Sequence, residues 1–228
     1  MWCSLGGSCV TQASLKHCGY WSPPSPWSDS HSDSPDFFST TAIRELEEQF
    51  AGITPDSVKQ VTYQIHSNSG HLLNYPEHYV VHYFGGELLD SPEAYCQRFW
   101  NKKITPFLEH LADPDITCIN FVFNSTNEEY LREMPERNEL NQLLLNHLTK
   151  FLDYLYQHYP RRYKLLFLIE EYMDDMILPT STHKDVLSLF CPKQTVFRCH
   201  DDETNDDSLN YIHYLASRYQ FYEQLRLL

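Results

Sequence analysis

The 228-residue chain carries 17 Lys and Arg against 31 Asp and Glu, a formal charge of −14, with 42% hydrophobic and 14% aromatic residues. That balance supplies a sizeable core and excludes a nucleic-acid partner, because gripping a phosphate backbone needs clustered cations. It equally opposes an anionic membrane surface. Glycine occurs only seven times, paired at Gly6-Gly7 and Gly85-Gly86, too sparsely for a P-loop or a dinucleotide fingerprint. No run of 18 apolar residues offers a transmembrane helix, and the first residues lack the basic and long apolar regions of a signal peptide. Seven cysteines, several of them inside predicted strands and helices, fit reduced core thiols and a cytoplasmic or other reducing compartment.

Residues 1–40 hold ten serines and four prolines. They read as a disordered Ser/Pro-rich tail ahead of a single α/β domain over 41–228. Cys3, Cys9, His17 and Cys18 do not have the spacing of a zinc knuckle, and adjacent ligands strain a tetrahedral site. Thr41–Phe50 is an amphipathic helix with Glu45, Glu47 and Glu48 on its solvent side. Val61–His66 alternates as a half-buried strand, Asn68-Ser69-Gly70 is a turn, and His71–Asn74 returns antiparallel.

Tyr79–Phe84 is the next strand and ends at Gly85-Gly86. Ser91 caps a following helix with Pro92 at its first position, and Pro106 predicts a kink. Ile116–Phe123 is a third strand. Leu140, Leu144, Leu148, Phe151 and Leu155 give Asn138–Tyr159 the apolar stripe of a helix that covers a sheet. Tyr163–Ile169, apolar without alternation, is the central strand of a parallel sheet. Strand, helix, strand, helix, strand over 79–169 predicts two tandem βαβ units. Val186–Cys191 and Thr195–Cys199 are short strands. Ser208 caps a last helix crowded by Tyr211, Tyr214, Tyr219 and Tyr222, a residue suited to partly covered faces. The expected fold is an α/β three-layer sandwich with a mostly parallel central sheet.

From Val61 to Ile169 this order of elements resembles the front half of the α/β-hydrolase superfamily. The resemblance makes Phe84-Gly85-Gly86-Glu87 an oxyanion loop and Tyr163–Ile169 the nucleophile strand. The Gly-x-Ser-x-Gly elbow of that family is replaced by Ile169-Glu170-Glu171-Tyr172-Met173, which offers no nucleophile on a tight turn. The resemblance therefore implies a catalytically degenerate member. The four letters Tyr172-Met173-Asp174-Asp175 also match the catalytic hairpin of reverse transcriptases, but no basic surface accompanies them.

Ligands of parallel sheets sit at the carboxyl ends of strands. Glu170, Glu171, Asp174 and Asp175 leave the central strand there and form a candidate Mg²⁺ set, against which stands a solvated helix start. Gly85, Gly86, Glu171 and His200 are the candidate catalytic positions. His200 and Asp201 with Cys191 or Cys199 would make a Cys-His pair, but an acidic loop disfavours the thiolate. Ser125 follows a strand within Asn124-Ser125-Thr126-Asn127, a pattern equally suited to a capped turn. His66 and His82 would meet across a strand pair, with His71 and His78 nearby. The functional expectation is a degenerate α/β domain working through protein contacts, its acidic surface facing a basic partner. The alternative is a hydrolase built on Gly85-Gly86 and the Glu170–Asp175 acids.

Overall fold

A computed structural model describes residues 1–6, 9–28, 30–32, 35–59, 62–66, 70–75, 79–84, 91–125, 134–171, 176–192, 213 and 216–226. In chain order its elements are β1 (Trp2–Ser4), α1 (Cys9–His17), β2 (Ser30–Ser32), a 3-10 turn at Phe37–Ser39, α2 (Thr41–Glu47), α3 (Pro55–Lys59), β3 (Thr62–His66), β4 (Gly70–Tyr75) and β5 (Tyr79–Phe84). Then follow α4 (Pro92–Phe99), a π turn at Trp100–Ile104, α5 (Thr105–Ala112), β6 (Cys118–Ser125), α6 (Met134–His158), β7 (Arg162–Glu171), β8 (Val186–Pro192) and α7 (Tyr219–Arg226).

β1, β6, β7 and β8 form a sheet in that order, every pair parallel. Tyr163 and Leu165–Ile169 are fully buried, as a strand covered on both faces requires. Odd positions (Tyr163, Leu165, Phe167, Ile169) join the core beneath α6, the 3-10 turn and α5. Leu166 and Leu168 face the other way and pack with Leu15, next to α7 residues Tyr222 and Leu225. Helix, sheet and helix are thus three layers, with α1 and α7 on the second face. The middle of α7 is anchored by the buried Tyr222, and its last turn by the buried Lys164, whose Nζ donates to the Leu225 carbonyl at 2.9 Å.

Two expectations are corrected. Tyr79–Phe84 does not join this sheet. Both edges of β5 are taken, by β2 and β4, in a second, antiparallel sheet of order β2-β5-β4-β3. Of the two βαβ units expected over 79–169, β6-α6-β7 is therefore the one that forms, and β1 fills the place expected of β5. Within the second sheet β4 separates β3 from β5, so His66 and His82 are not cross-strand neighbours.

The second correction concerns the stretch expected to be a disordered tail. Its described residues are built into the fold. Trp2, Cys3 and Ser4 pair with Asn120, Phe121 and Val122. On the far side of β1 the Trp2 amide donates to the Trp21 carbonyl at 3.0 Å, so the edge of the sheet is covered. Several serines are satisfied internally: Ser25 Oγ donates to the Ser4 carbonyl at 2.5 Å and Ser22 Oγ to Gln12 Oε1 at 3.3 Å. Trp27 is fully buried, with its ring 5.3 Å from Phe107, 5.5 Å from Phe151, 5.8 Å from Phe50 and 6.0 Å from Phe38. Average composition hid these few large aromatics.

Trp27 also changes α2. Its Nε1–H donates to Glu45 Oε2 at 2.8 Å, so Glu45 turns toward the core while Glu47 and Glu48 stay exposed. Burial pushes the Glu45 carboxyl up to about 7, and the Trp27 bond and Arg44 pull it only partly back.

The predicted cap is present, with Ser91 Oγ accepting from the Ala94 amide at 3.2 Å. The kink expected at Pro106 takes the form of the π turn just before it, where the Thr105 amide reaches back to the Trp100 carbonyl. Arg161 then ties three elements together. Its guanidinium donates to the His110 carbonyl at 2.8 Å, to the Ile116 carbonyl at 3.2 Å and to the Leu111 carbonyl. These are the open carbonyls at the end of α5 and the start of β6, where a cation is favoured.

Trp27→Ala is expected to cost about 3–5 kcal/mol of unfolding free energy in urea, and Trp27→Phe clearly less, since the ring cluster survives. Glu45 sets a pH dependence. Its folded pKa lies above its unfolded one, so the folded chain holds the extra proton between about 4.5 and 7 and stability falls as pH rises through that window. Thermal melts of Glu45→Gln should lack this fall and exceed wild type at pH 8, by about 3 kcal/mol in unfolding free energy.

Candidate functional site at the carboxyl edge of the parallel sheet

The strand ends converge by register. Ser125 lies beside Ile169, and Glu170 and Glu171 lie beside Cys191 and Pro192. The Asn124 amide reaches the Gly6 carbonyl beyond β1 at 3.4 Å. In chain order the four strands run straight across the sheet without reversing, so no crevice of the kind made by a reversal of strand order opens here.

α6 closes this edge from one face. Its buried seam runs Arg137, Asn141, Leu145, Leu148, Leu152, Leu155, and Leu140 and Leu144 stand half-buried beside it. The apolar stripe thus starts one turn later than the leucine spacing predicts, and two polar residues lead it. They meet polar residues from the sheet. Ser125 Oγ donates to Asn141 Oδ1 at 2.8 Å, and both residues are buried. Asn141 Nδ2 is buried with no hydrogen-bond partner. Asn124 is fully buried, with Oδ1 3.9 Å from Cys191 Sγ. A serine that donates its proton to an amide carbonyl is not activated as a nucleophile, so Ser125 serves here as a packing and hydrogen-bonding residue.

Among the other candidate positions, Glu170 and Glu171 are placed only as the last backbone positions of β7. Gly85, Gly86, Asp174, Asp175, Cys199 and His200 lie outside the described residues, as does His78. Cys191 is buried. Cys3 belongs to one core and Cys18 packs on the opposite one, and among the described residues no three His, Cys, Asp or Glu side chains are grouped to hold a metal ion. In the last helix Tyr222 is buried and Tyr219 is exposed, stacked 6.1 Å from Tyr20.

Two polar pairs escaped sequence reading because their members are far apart in the chain. Ser39 Oγ lies 2.5 Å from His147 Nδ1 and 3.2 Å from the Asp36 carbonyl. Burial and Lys150 lower the His147 pKa, against a smaller upward pull from Asp36. The Ser39 and Thr40 amides are already bonded to the Asp36 carbonyl, so they offer no oxyanion hole. At the other end of the sheet Tyr156 Oη accepts from the Tyr163 amide at 3.2 Å and lies 2.9 Å from Asp185 Oδ2, with His183 stacked on its ring at 5.8 Å. Burial pushes the Tyr156 hydroxyl up to about 12, which keeps it a donor.

An open groove lies on the outer side of α6. Residues 176–180 are strapped along the helix by Asn138, whose Oδ1 accepts from the Ile177 amide at 2.9 Å, and by Gln142, whose amide both accepts from the Thr180 amide at 3.0 Å and donates to its carbonyl at 2.9 Å. The groove between strap and helix has a volume of about 410 Å³. Leu143 and Ile177 flank it, 44% and 67% exposed, and Glu139 stands at its rim. Comparison with protein-family models, with curated proteins and with solved structures finds no match for this chain. No described helix is long and apolar enough to cross a membrane.

The Ser125–Asn141 pair yields a thermodynamic test. Asn141→Leu should cost about 1–3 kcal/mol by stranding the Ser125 hydroxyl. Adding Ser125→Ala should recover about 1 kcal/mol or more of that loss in urea unfolding, a coupling that two independent sites would not show.

Proposed function

We propose that the chain is a catalytically degenerate α/β domain, hydrolase-like in its order of elements, that acts through protein–protein contacts. Its partner presents a basic segment with apolar anchors. The observation that carries this reading is the groove on α6. Leu143 and Ile177 are large apolar side chains left in solvent on either side of it, the pattern of a contact surface, while the backbone of the strap is fixed to the helix by the Asn138 and Gln142 side chains. Glu139 at the rim and a net charge of −14 favour cationic partners and steer their approach. The inward pairing of Ser125 with Asn141 supports a non-catalytic role for that part of the sheet edge.

Fluorescence titration against a panel of peptides that alternate Lys or Arg with Leu, Phe or Tyr tests the proposal. Binding should weaken as salt rises and fall at least tenfold in Ile177→Asp, with the melting temperature preserved because that side chain is exposed. Peptide binding indifferent to Ile177→Asp and Leu143→Asp would remove the groove. Turnover of ester or phosphoester substrates that is lost on changing Gly86 or Glu171 would replace the proposal with the hydrolase alternative.

A further inference from the structure

The parallel sheet ends on β8, and the outer edge of this strand has a donor pattern that fits itself. The Leu165 amide donates to the Asp185 carbonyl at 2.8 Å, with Leu165 beside Val186. In a parallel ladder that phase turns the amides and carbonyls of odd-numbered β8 residues toward β7 and those of even-numbered residues outward. The outward groups therefore belong to Val186, Ser188, Phe190 and Pro192. The Val186 amide is spent on the His183 carbonyl at 3.1 Å, and Pro192 has none. Among the described residues no group is bonded to the outward amides and carbonyls of Ser188 and Phe190. Among the described residues no strand lies beyond them.

The side chains are those of an interior strand. Val186-Leu187-Ser188-Leu189-Phe190-Cys191 contains no charge, and residues 186–190 are each only half-buried. Edges that must remain single are usually protected by Lys, an early Pro or a bulge. Here Pro192 arrives only at the end, and the register with β7 is continuous from Val186 onward.

We propose that this edge pairs with the same edge of a second copy, antiparallel and centred on Leu189, which joins two four-stranded sheets into one. In that register Ser188 lies opposite Phe190 of the second copy and exchanges both hydrogen bonds with it, and the two-fold axis repeats the exchange. The two residues without a usable amide, Val186 and Pro192, fall opposite each other. Leu189 meets Leu189 of the second copy at a non-hydrogen-bonded position, and the half-buried faces of both strands continue into one another. The contact is isologous and closed, so it stops at a dimer. It lies on a different element from the α6 groove and does not depend on the proposal made for that groove.

Sedimentation equilibrium over about 5–500 µM, the range of small interfaces, tests this. The mass should rise with concentration from 27.0 kDa toward twice that value. Each copy is strongly negative, so association should tighten severalfold when NaCl is raised from about 20 mM to about 0.5 M and the mutual repulsion is screened. Ser188→Lys, which puts a charge on a half-buried edge position, should weaken the dimer at least tenfold. Circular dichroism and the melting temperature establish that this variant is folded. Leu189→Cys provides a second reading, because opposed residues at a non-hydrogen-bonded site lie about 4.5 Å apart between Cα atoms, within disulfide range. Mild oxidation should give a covalent dimer well above the wild-type background. A chain of 27.0 kDa at every concentration and salt would overturn the proposal. So would a dimer that folded Ser188→Lys leaves intact, or one that Leu189→Cys fails to cross-link.

Discussion

β7 has neighbours in every direction, and the rest of the molecule is arranged around that confinement. Both of its backbone edges are occupied, by β6 and by β8, over most of its length. Its side chains divide between two cores that never touch through the sheet. A strand held in this way has no freedom of register, because a slip of one residue would exchange the two faces at once. Phe121, Phe123, Tyr163 and Phe167 then stack in pairs along one face, with ring centroids 6.0 Å apart for Phe121–Tyr163 and 5.6 Å for Phe123–Phe167. Arg161 sits one residue before β7 and gathers the end of α5 and the start of β6 onto it. The placement of helices on either side follows from this one registered strand.

What could be read from residues alone was whatever depended on local pattern. The uninterrupted apolar run of Tyr163–Ile169, the capping serine at position 91, the hairpin of β3 and β4 and the covering helix α6 all carry their signal within a few residues. What could not be read depended on partners distant in the chain. Trp2–Ser4, expected within a tail, takes the sheet position expected of Tyr79–Phe84 because strand pairing is decided by which edge is already occupied, and short apolar strands do not encode that. Trp27 was hidden by the serines and prolines around it. Its role comes from phenylalanines at positions 50, 107 and 151, which only the fold brings near.

The candidate site repeats this division. The convergence of strand ends was legible, since Ser125 and Glu171 each stand two residues past an expected strand end, Phe123 and Ile169, and the strands run on to include them. The polar lead of the α6 seam was not, because Arg137 lies ahead of the helix start expected at Asn138, and Asn141, although seven residues before Leu148 and so on the same stripe, is polar. Asn141 is buried because Ser125 is there to meet it, a dependence of one residue on another across 16 positions. The Ser39–His147 contact spans 108. Neither separation leaves a trace in composition or periodicity.

The wide turn at Trp100–Ile104 has an arithmetic consequence. One additional residue per turn rotates everything after it by about 100° relative to an uninterrupted α-helix. Tyr95 and Phe99 before the turn, and Ile104, Phe107 and Leu111 within and after it, all reach the same core only because of that offset. An uninterrupted α-helix over the same residues would be a straighter and locally better-bonded rod, but it would swing Phe107 out from under Trp27. The molecule keeps an irregular coil so that two half-helices can share one hydrophobic direction.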